Sequence, residues 1–248
     1  MAEMSFPVSL TVAQSKRLIA RGAVVSPVFR EARDNGKILI VKGTTNAYVV
    51  EEVTGRSLDK LSFARGLTLP HGLPRRETAG PVLGDVLIDR GRVDLDADIA
   101  TVVDTLGRGD LILKGANALN YASRLAGVLI GDPRAGTIGM ALRRAVGSHV
   151  GLMIPVGLEK CISGDILEIA GWLQSPSHHG EAMMPVWGQV FTEIEALQVL
   201  CGVRAKHIAS GGVGGAEGAV WLALDGDEAQ IEHAKTVLEA VYREVSLA

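Results

Sequence analysis

The sequence predicts an α/β fold, a mostly parallel sheet covered by helices, followed by a small C-terminal ferredoxin-like α+β domain. Three observations carry this prediction. Continuous apolar runs of strand length, such as Lys37-Ile38-Leu39-Ile40-Val41 and Asp110-Leu111-Ile112-Leu113-Lys114, each hand over to a stretch of helical spacing. Hydrophobic residues make up 47% of the chain but aromatics only 4%, so the core is built from Val, Leu, Ile and Ala, the composition of strands buried on both faces. Glycine supplies 30 of 248 residues, about 12% against an average near 7%. These glycines gather at strand ends, where a backbone turns tightly or approaches a ligand.

Taken in order, Thr11 caps an amphipathic helix through Leu18 and Ile19 to Gly22, and a short helix covers Pro27 to Asp34. The strand 37–41 ends in Lys42-Gly43-Thr44-Thr45-Asn46, after which Ala47, Val49, Val50 and Val53 take helical spacing up to Gly55. From Ser57 to Gly84 prolines and glycines alternate, which implies irregular structure, a hairpin or a cover. Asp85–Asp89 reads as strand, Leu95–Leu106 as helix and 110–114 as strand. Ala126–Ile130 is either a strand or part of a hairpin. A helix from Ile138 to Val146 and a strand at Gly151–Ile154 follow. The polar stretch Leu173–Gly180 marks a boundary, giving an α/β domain over 1–178 and a small domain over 179–248. Beyond it the order is strand (Val186–Thr192), helix, strand, strand (Ala219–Leu224) and a long helix from Glu228 to Val245, close to a ferredoxin-like half-sandwich.

Composition excludes several classes. The net charge is −3 and no block of Lys or Arg stands apart from acidic neighbours, which speaks against a nucleic-acid partner. Cys161 and Cys201 have neither metal-ligand spacing nor a disulfide pattern, so no metal and no cofactor is expected. His178-His179 with Glu181 reads as a solvated linker, since consecutive histidines do not share a face. No stretch reaches the roughly 18 apolar residues of a membrane span, and Met1–Ser5 has no leader character. A cytoplasmic protein without a membrane partner is expected, as a homo-oligomer.

In an open α/β sheet, ligands bind beyond the carboxyl ends of the strands, so the residues just after each strand are weighed first. Lys42, Gly43, Thr44, Thr45 and Asn46 offer helix-start N–H groups, two hydroxyls and a flanking cation for a phosphate or carboxylate; the alternative is a tight turn with a helix cap. Lys114, Gly115 and Asn117 follow the next strand, with Lys114 as a compact charge and Asn117 as an orienting amide, or both as turn residues. Arg134, Gly136 and Thr137 open a helix after Gly131-Asp132-Pro133, with Arg134 placed for an anion or for a salt bridge to Asp132. Glu159 and Lys160 follow the strand at 151–154, either reaching the same crevice or remaining at the surface. Glu217, in Gly211–Gly218, is either the acid of a closing loop or part of a plain hairpin. The P-loop, dinucleotide, G-x-S-x-G and H-E-x-x-H spacings are absent.

Ile38–Asn46 resembles the strand and small-residue turn of the superfamily that joins ribose-5-phosphate isomerase, glucosamine-6-phosphate deaminase and CoA transferases. A longer stretch, Leu111 to Pro155, resembles methylthioribose-1-phosphate isomerase and translation initiation factor 2B subunits. It carries Gly115-Ala116-Asn117, then Arg134, Gly136-Thr137, a helix from Ile138, and Ile154-Pro155. The resemblance implies an isomerase-like enzyme binding a small phosphorylated metabolite or an acyl-CoA-like anion. The family's acid falls on Asn117, which cannot exchange a proton as a carboxyl does. Lys114 or Glu159 is then the expected proton-transfer group, with Glu217 in reserve. The alternatives are a non-catalytic metabolite sensor and a structural subunit.

Overall fold

A computed structural model describes residues 4–65 and 83–245. β1 (Met4–Leu10) leads into α1 (Val12–Val25), whose amino end is closed reciprocally by Thr11 and Gln14. Ser26 caps α2 (Pro27–Asn35), with proline in its first turn. β2 (Lys37–Ile40) feeds α3 (Thr44–Thr54), which stops at Gly55 in the left-handed region (φ 66°). β3 (Asp85–Asp89) and β4 (Arg92–Ala97) precede α4 (Ile99–Val102), which Asp98 caps and a 3-10 turn extends to Thr105. Next come β5 (Leu111–Leu113), β6 (Ala118–Asn120), β7 (Leu125–Ile130), α5 (Gly136–Ser148) and β8 (Gly151–Pro155). A 3-10 turn at 158–160 separates β8 from α6 (Ile166–Leu173). The remaining elements are β9 (Ala182–Val186), β10 (Gln189–Phe191), α7 (Glu193–Cys201), β11 (Arg204–Ser210), β12 (Val220–Gly226) and α8 (Glu228–Val241).

The protein is mixed α/β. Its six-stranded sheet has the order β10-β8-β5-β2-β3-β4, with β10, β8, β5 and β2 mutually parallel and β3 and β4 added antiparallel. The parallel register runs Ile38↔Leu111, Leu111↔Gly151 and Ile154↔Val190. The ladder continues one step past each strand: Val41 N–H donates to Leu113 O, Lys114 N–H to Met153 O, and Val156 N–H to Phe191 O, each at 3.0 Å. All four strands therefore end on one level. A second sheet, β6-β7-β9, is antiparallel, and a third has the order β1-β12-β11. Apolar alternation explains the outer strands: Val8 and Leu10 of β1 face inward, and Pro7 is tolerated because β1 is an edge. The buried aliphatic core is contiguous from β2, β5 and β8 to β1, β12 and α8.

Several expectations are corrected. Residues 92–97 form a strand rather than the start of a helix, because Arg90 and Gly91 both adopt positive φ (46° and 80°) and close a two-residue hairpin with β3. Residues 4–10, which were not anticipated as a strand, pair with β12. The strand expected at 186–192 is two strands broken at Trp187-Gly188, of which β9 pairs with β7 and β10 with β8. The β-α-β-β-α order after residue 180 is present as β10, α7, β11, β12 and α8, but β10 lies in the six-stranded sheet and β1 takes a place beside β12. At Ala126–Ile130 the hairpin with β6 is formed. The segment Ser57–Gly84 is irregular from 57 to 65 apart from one turn, and its part over 66–82 lies outside the described residues. Among the described residues no helix is long and apolar enough to cross a membrane.

One glycine decides how closely α1 lies on α7. A Cβ at Gly22 would stand 2.6 Å from both Cα and Cβ of Ala196 and 3.2 Å from the Phe191 ring. Backbone cannot yield as a side chain does, so Gly22→Val is expected to destabilise by about 1–3 kcal/mol through overpacking. That exceeds the few tenths a helix gains on losing glycine. Urea unfolding measures it, and an unchanged midpoint would mean the two helices can separate freely.

Candidate functional site

Because β2, β5, β8 and β10 end together, the segments leaving them meet at one rim. The segment after β2 carries Lys42–Asn46, that after β5 carries Lys114–Asn117, that after β8 carries Gly157–Lys160, and that after β10 opens α7 with Thr192 and Glu193. α1 lies over the same end and adds Ser15 and Lys16.

A chain of ionisable groups runs along this rim. Lys16, 8% exposed, donates from Nζ to Thr44 Oγ1 at 3.1 Å. Burial lowers its pKa and Lys160 lowers it further, while Glu159 acts in the opposite direction. Lys160 Nζ donates to Ala116 O at 2.7 Å, and burial depresses its pKa against the pull of Glu159. Glu159 Oε2 is buried without a hydrogen-bond partner, and its side chain folds back so far that a Cβ on Gly157 would stand 1.8 Å from that oxygen. Glu193 is fully buried and accepts from Leu158 N–H at 3.0 Å through Oε2. Burial and the neighbouring Glu159 push its pKa up. The Ser15 hydroxyl favours the charged form of Glu193 from nearby without the geometry of a full hydrogen bond. The raised value belongs to Glu193, whose carboxyl is fully enclosed and faces the charge of Glu159.

Lys114 continues the chain toward the centre of the sheet. It is half-buried as a residue, but its ammonium group is enclosed by protein. Burial first, then Lys160 and Arg65, push its pKa down to about 8, against an opposing effect from Asp85. Asp85 is itself a scaffold group: its carboxylate accepts from Lys42 N–H (2.8 Å) and Ile99 N–H (3.0 Å). Lys114 also lines a pocket of about 600 Å³ whose other walls are Asn117, the end of β7 and the amino end of α5. Among the described residues, the charged groups around this pocket are Arg65, Lys114 and Arg134 against Asp98 and Asp132. Both acids are engaged, Asp98 by Ala100 N–H and Asp132 by Arg134 N–H. A shallower depression of about 360 Å³ lies by Phe191, Ile194 and Val199, but its charged residues are already paired, Glu195 with Arg124 and Arg204 with Asp225. It offers no comparable chemistry.

The structure thus brings together some expected residues and separates others. Lys114, Asn117, Arg134, Gly136 and Thr137 share the pocket. Gly43–Asn46 and Gly115 stand outside its lining. Lys42 Nζ is occupied by Leu83 O at 2.7 Å. Gly43 has an extended backbone (φ 169°) with open space around it, so nothing there requires glycine. Thr45 and Asn46 are buried, and Asn46 Nδ2 ties two strand ends by donating to Val41 O (2.8 Å) and Leu113 O (3.1 Å). Asn117 Oδ1 accepts from Leu129 N–H at 3.1 Å, pinning the β6–β7 hairpin. Arg134 is 90% exposed at the pocket mouth, 3.6 Å from Asp132. Glu159 belongs to the buried chain, while Glu217 is exposed on the β11–β12 loop and accepts from Gly215 N–H at 2.9 Å.

Sequence reasoning missed Lys16, Glu193 and Asp85. Glu193 had a usable signal, since it follows a strand end as Lys114 does. Lys16 had a fainter one, a lysine on the buried stripe with Ala13, Ala20 and Ala23. Among the described residues no group of His, Cys, Asp or Glu is placed to hold a metal. Compared with known proteins, the chain matches no family model, no curated protein and no solved structure. What the fold and site define is an α/β protein with a buried charged rim at the carboxyl ends of four parallel strands and a pocket beside the end of β5.

The raised pKa of Glu193 sets a pH dependence. The folded chain holds a proton that the unfolded chain, with an ordinary value of about 4.5, has released. The stability this contributes is complete below that pH and is lost as pH rises through the folded value. Glu193→Gln mimics the protonated acid and keeps an acceptor for Leu158. Wild type should therefore lose stability relative to this variant between pH 5 and 8, by at most about 1.4 kcal/mol per unit. Parallel urea-unfolding curves across that range would mean Glu193 is ionised throughout.

Proposed function

We propose that the pocket binds a small phosphorylated metabolite, or a related anion such as an acyl-CoA, and that the chain is an isomerase-like enzyme acting beside the ligand's carbonyl or hydroxyl groups. The observation that carries this reading is the unbroken run of enclosed ionisable groups, Lys16, Glu159, Glu193, Lys160 and Lys114, leading into a pocket at the strand ends. Burying charged groups costs several kcal/mol each, and a scaffold alone has no use for five at one rim.

Roles follow from position. The amino end of α5, without a side-chain cap, presents its first N–H groups to an anion. Arg134 and Thr137 stand beside it. Lys114 meets the reacting end of the ligand, while Glu159 and Glu193 stand outside the pocket lining. The assignment to the isomerase and CoA transferase-like superfamily remains part of this proposal, resting on residues 38–46 and 111–155. One observation favours a sensor instead: Asn117, where that family carries its acid, is engaged in holding a hairpin. In that reading the ferredoxin-like part is β11, β12 and the helices on them, which would report occupancy to a partner.

Thermal unfolding with inorganic phosphate, ribose 5-phosphate, glucosamine 6-phosphate and acetyl-CoA tests the proposal. A ligand at a hundred times its Kd stabilises by about 2.7 kcal/mol. Arg134→Ala is expected to weaken binding about tenfold through loss of a charge-assisted contact. If none of these anions stabilises the chain, the proposal is wrong.

A further inference from the structure

Resting on the pocket assigned above for the ligand's anionic end, we infer that Lys114 Nζ forms a covalent imine with an aldehyde or ketone bound between Asn117 and the amino end of α5. Tethering distinguishes this lysine from its neighbours. Lys16 is bonded to Thr44, Lys42 to Leu83 O, Lys60 to Glu51, and Lys160 to Ala116 O. Lys114 has a bond of 3.4 Å to the carbonyl of the adjacent Gly115 and, among the described residues, no ion pair. It is therefore a loosely held amine facing a cavity large enough for a sugar-sized ligand.

Its surroundings suit a nucleophile. Lys160, fixed by Ala116, is a like charge held in place near it. Arg65 adds to that repulsion, and Asp85 opposes both with a carboxylate already committed to two backbone N–H groups. With its pKa lowered to about 8, a far larger share of the amine is neutral near neutral pH than for an ordinary lysine. Val128, Ile130, Ile138 and Met140 line the same cavity and limit water around the adduct.

The step balances without an oxidant or cofactor. The neutral amine's lone pair bonds to the carbonyl carbon while the C=O π pair moves to oxygen, and a proton passes from nitrogen to that oxygen to give a carbinolamine. A further proton from solvent lets the hydroxyl leave as water and yields the protonated imine. The products are one iminium and one water from one amine, one carbonyl and one proton. Such an iminium withdraws electrons from the neighbouring C–H bond, the bond an isomerase-like reaction must open.

Borohydride trapping tests this on the full chain. Pyridoxal 5′-phosphate, a phosphorylated aldehyde, is added, the imine is reduced, and the labelled peptides are mapped by mass spectrometry. Of the chain's eight lysines, Lys114 is expected to be labelled first and to one equivalent. Inorganic phosphate should slow that labelling, and Lys114→Arg should abolish it. Lys160→Met should move the pH profile of labelling upward by about one unit, and Lys160→Arg should restore it. Labelling spread over Lys37, Lys206 and Lys235 with no preference for Lys114 would overturn the inference. In that event, stabilisation by phosphate leaves the anion site standing; rapid labelling at Lys114 that phosphate does not slow would instead support the imine and remove the anion site.

Discussion

The charged rim of this protein depends on four parallel strands stopping at the same height. Asn46 reinforces that at the centre: its amide donates to Val41 O and to Leu113 O, which also accepts from Val41 N–H, and so ties the ends of β2 and β5 together. The ladder then extends past β2, β5 and β8 into the segments that carry Lys114 and Glu159. A side chain placed on such a segment inherits the rigidity of the sheet. Parallel strands also bring their ends together without any sequence proximity, so groups up to 177 positions apart, Lys16 and Glu193, share one electrostatic environment.

Two charge clusters in the same molecule show two kinds of burial. Around Arg17 the charges are saturated: the guanidinium meets Glu51, Glu52 and Glu244, Lys60 reaches Glu51 at 2.9 Å, and Arg17 and Lys60 both approach the Tyr48 ring at 4.8 Å. This network fastens the chain's end to α1 and α3, and hydrogen bonds from its carboxylates raise the Arg17 pKa against desolvation. At the rim the balance is reversed. Lys16, Lys160 and Lys114 all have lowered pKa values, Glu193 a raised one, and Glu159 Oε2 has no partner. Desolvation outweighs pairing there, the condition under which protons are easily exchanged.

How much of this was legible in the sequence follows from the kind of signal involved. Strands at 37–40, 111–113 and 151–155 were visible because burial on both faces makes continuous apolar runs. β4 was misread because Val93, Leu95 and Ala97 alternate with Asp94 and Asp96 over a stretch too short to separate the two periods, and the turn at Arg90-Gly91 was not weighed. The rule that ligands sit beyond strand ends located Lys114, Glu159 and the Arg134 turn. It could not find Lys16, which comes from a helix laid over the rim, nor Asp85, which begins an antiparallel strand and so reaches the rim from the opposite direction. Of these tertiary arrivals only Lys16 leaves a mark in local sequence, a lysine on the buried stripe of α1.

Asn117 bears on where proton transfer can occur. Its side-chain oxygen accepts from Leu129 N–H, a bond an aspartate could also make, so the hairpin alone does not demand an amide. What an aspartate would change is charge. The pocket already holds Asp98 and Asp132, both committed to backbone donors, and a third acid beside Lys114 would give that lysine a partner and raise its pKa. The amide at 117 leaves Lys114 without an ion pair among the described residues, and the Glu159 and Glu193 carboxyls stand outside the pocket. The rim is thereby divided, with an amine of lowered pKa facing the pocket and the buried carboxyl of Glu193, its pKa raised, away from it.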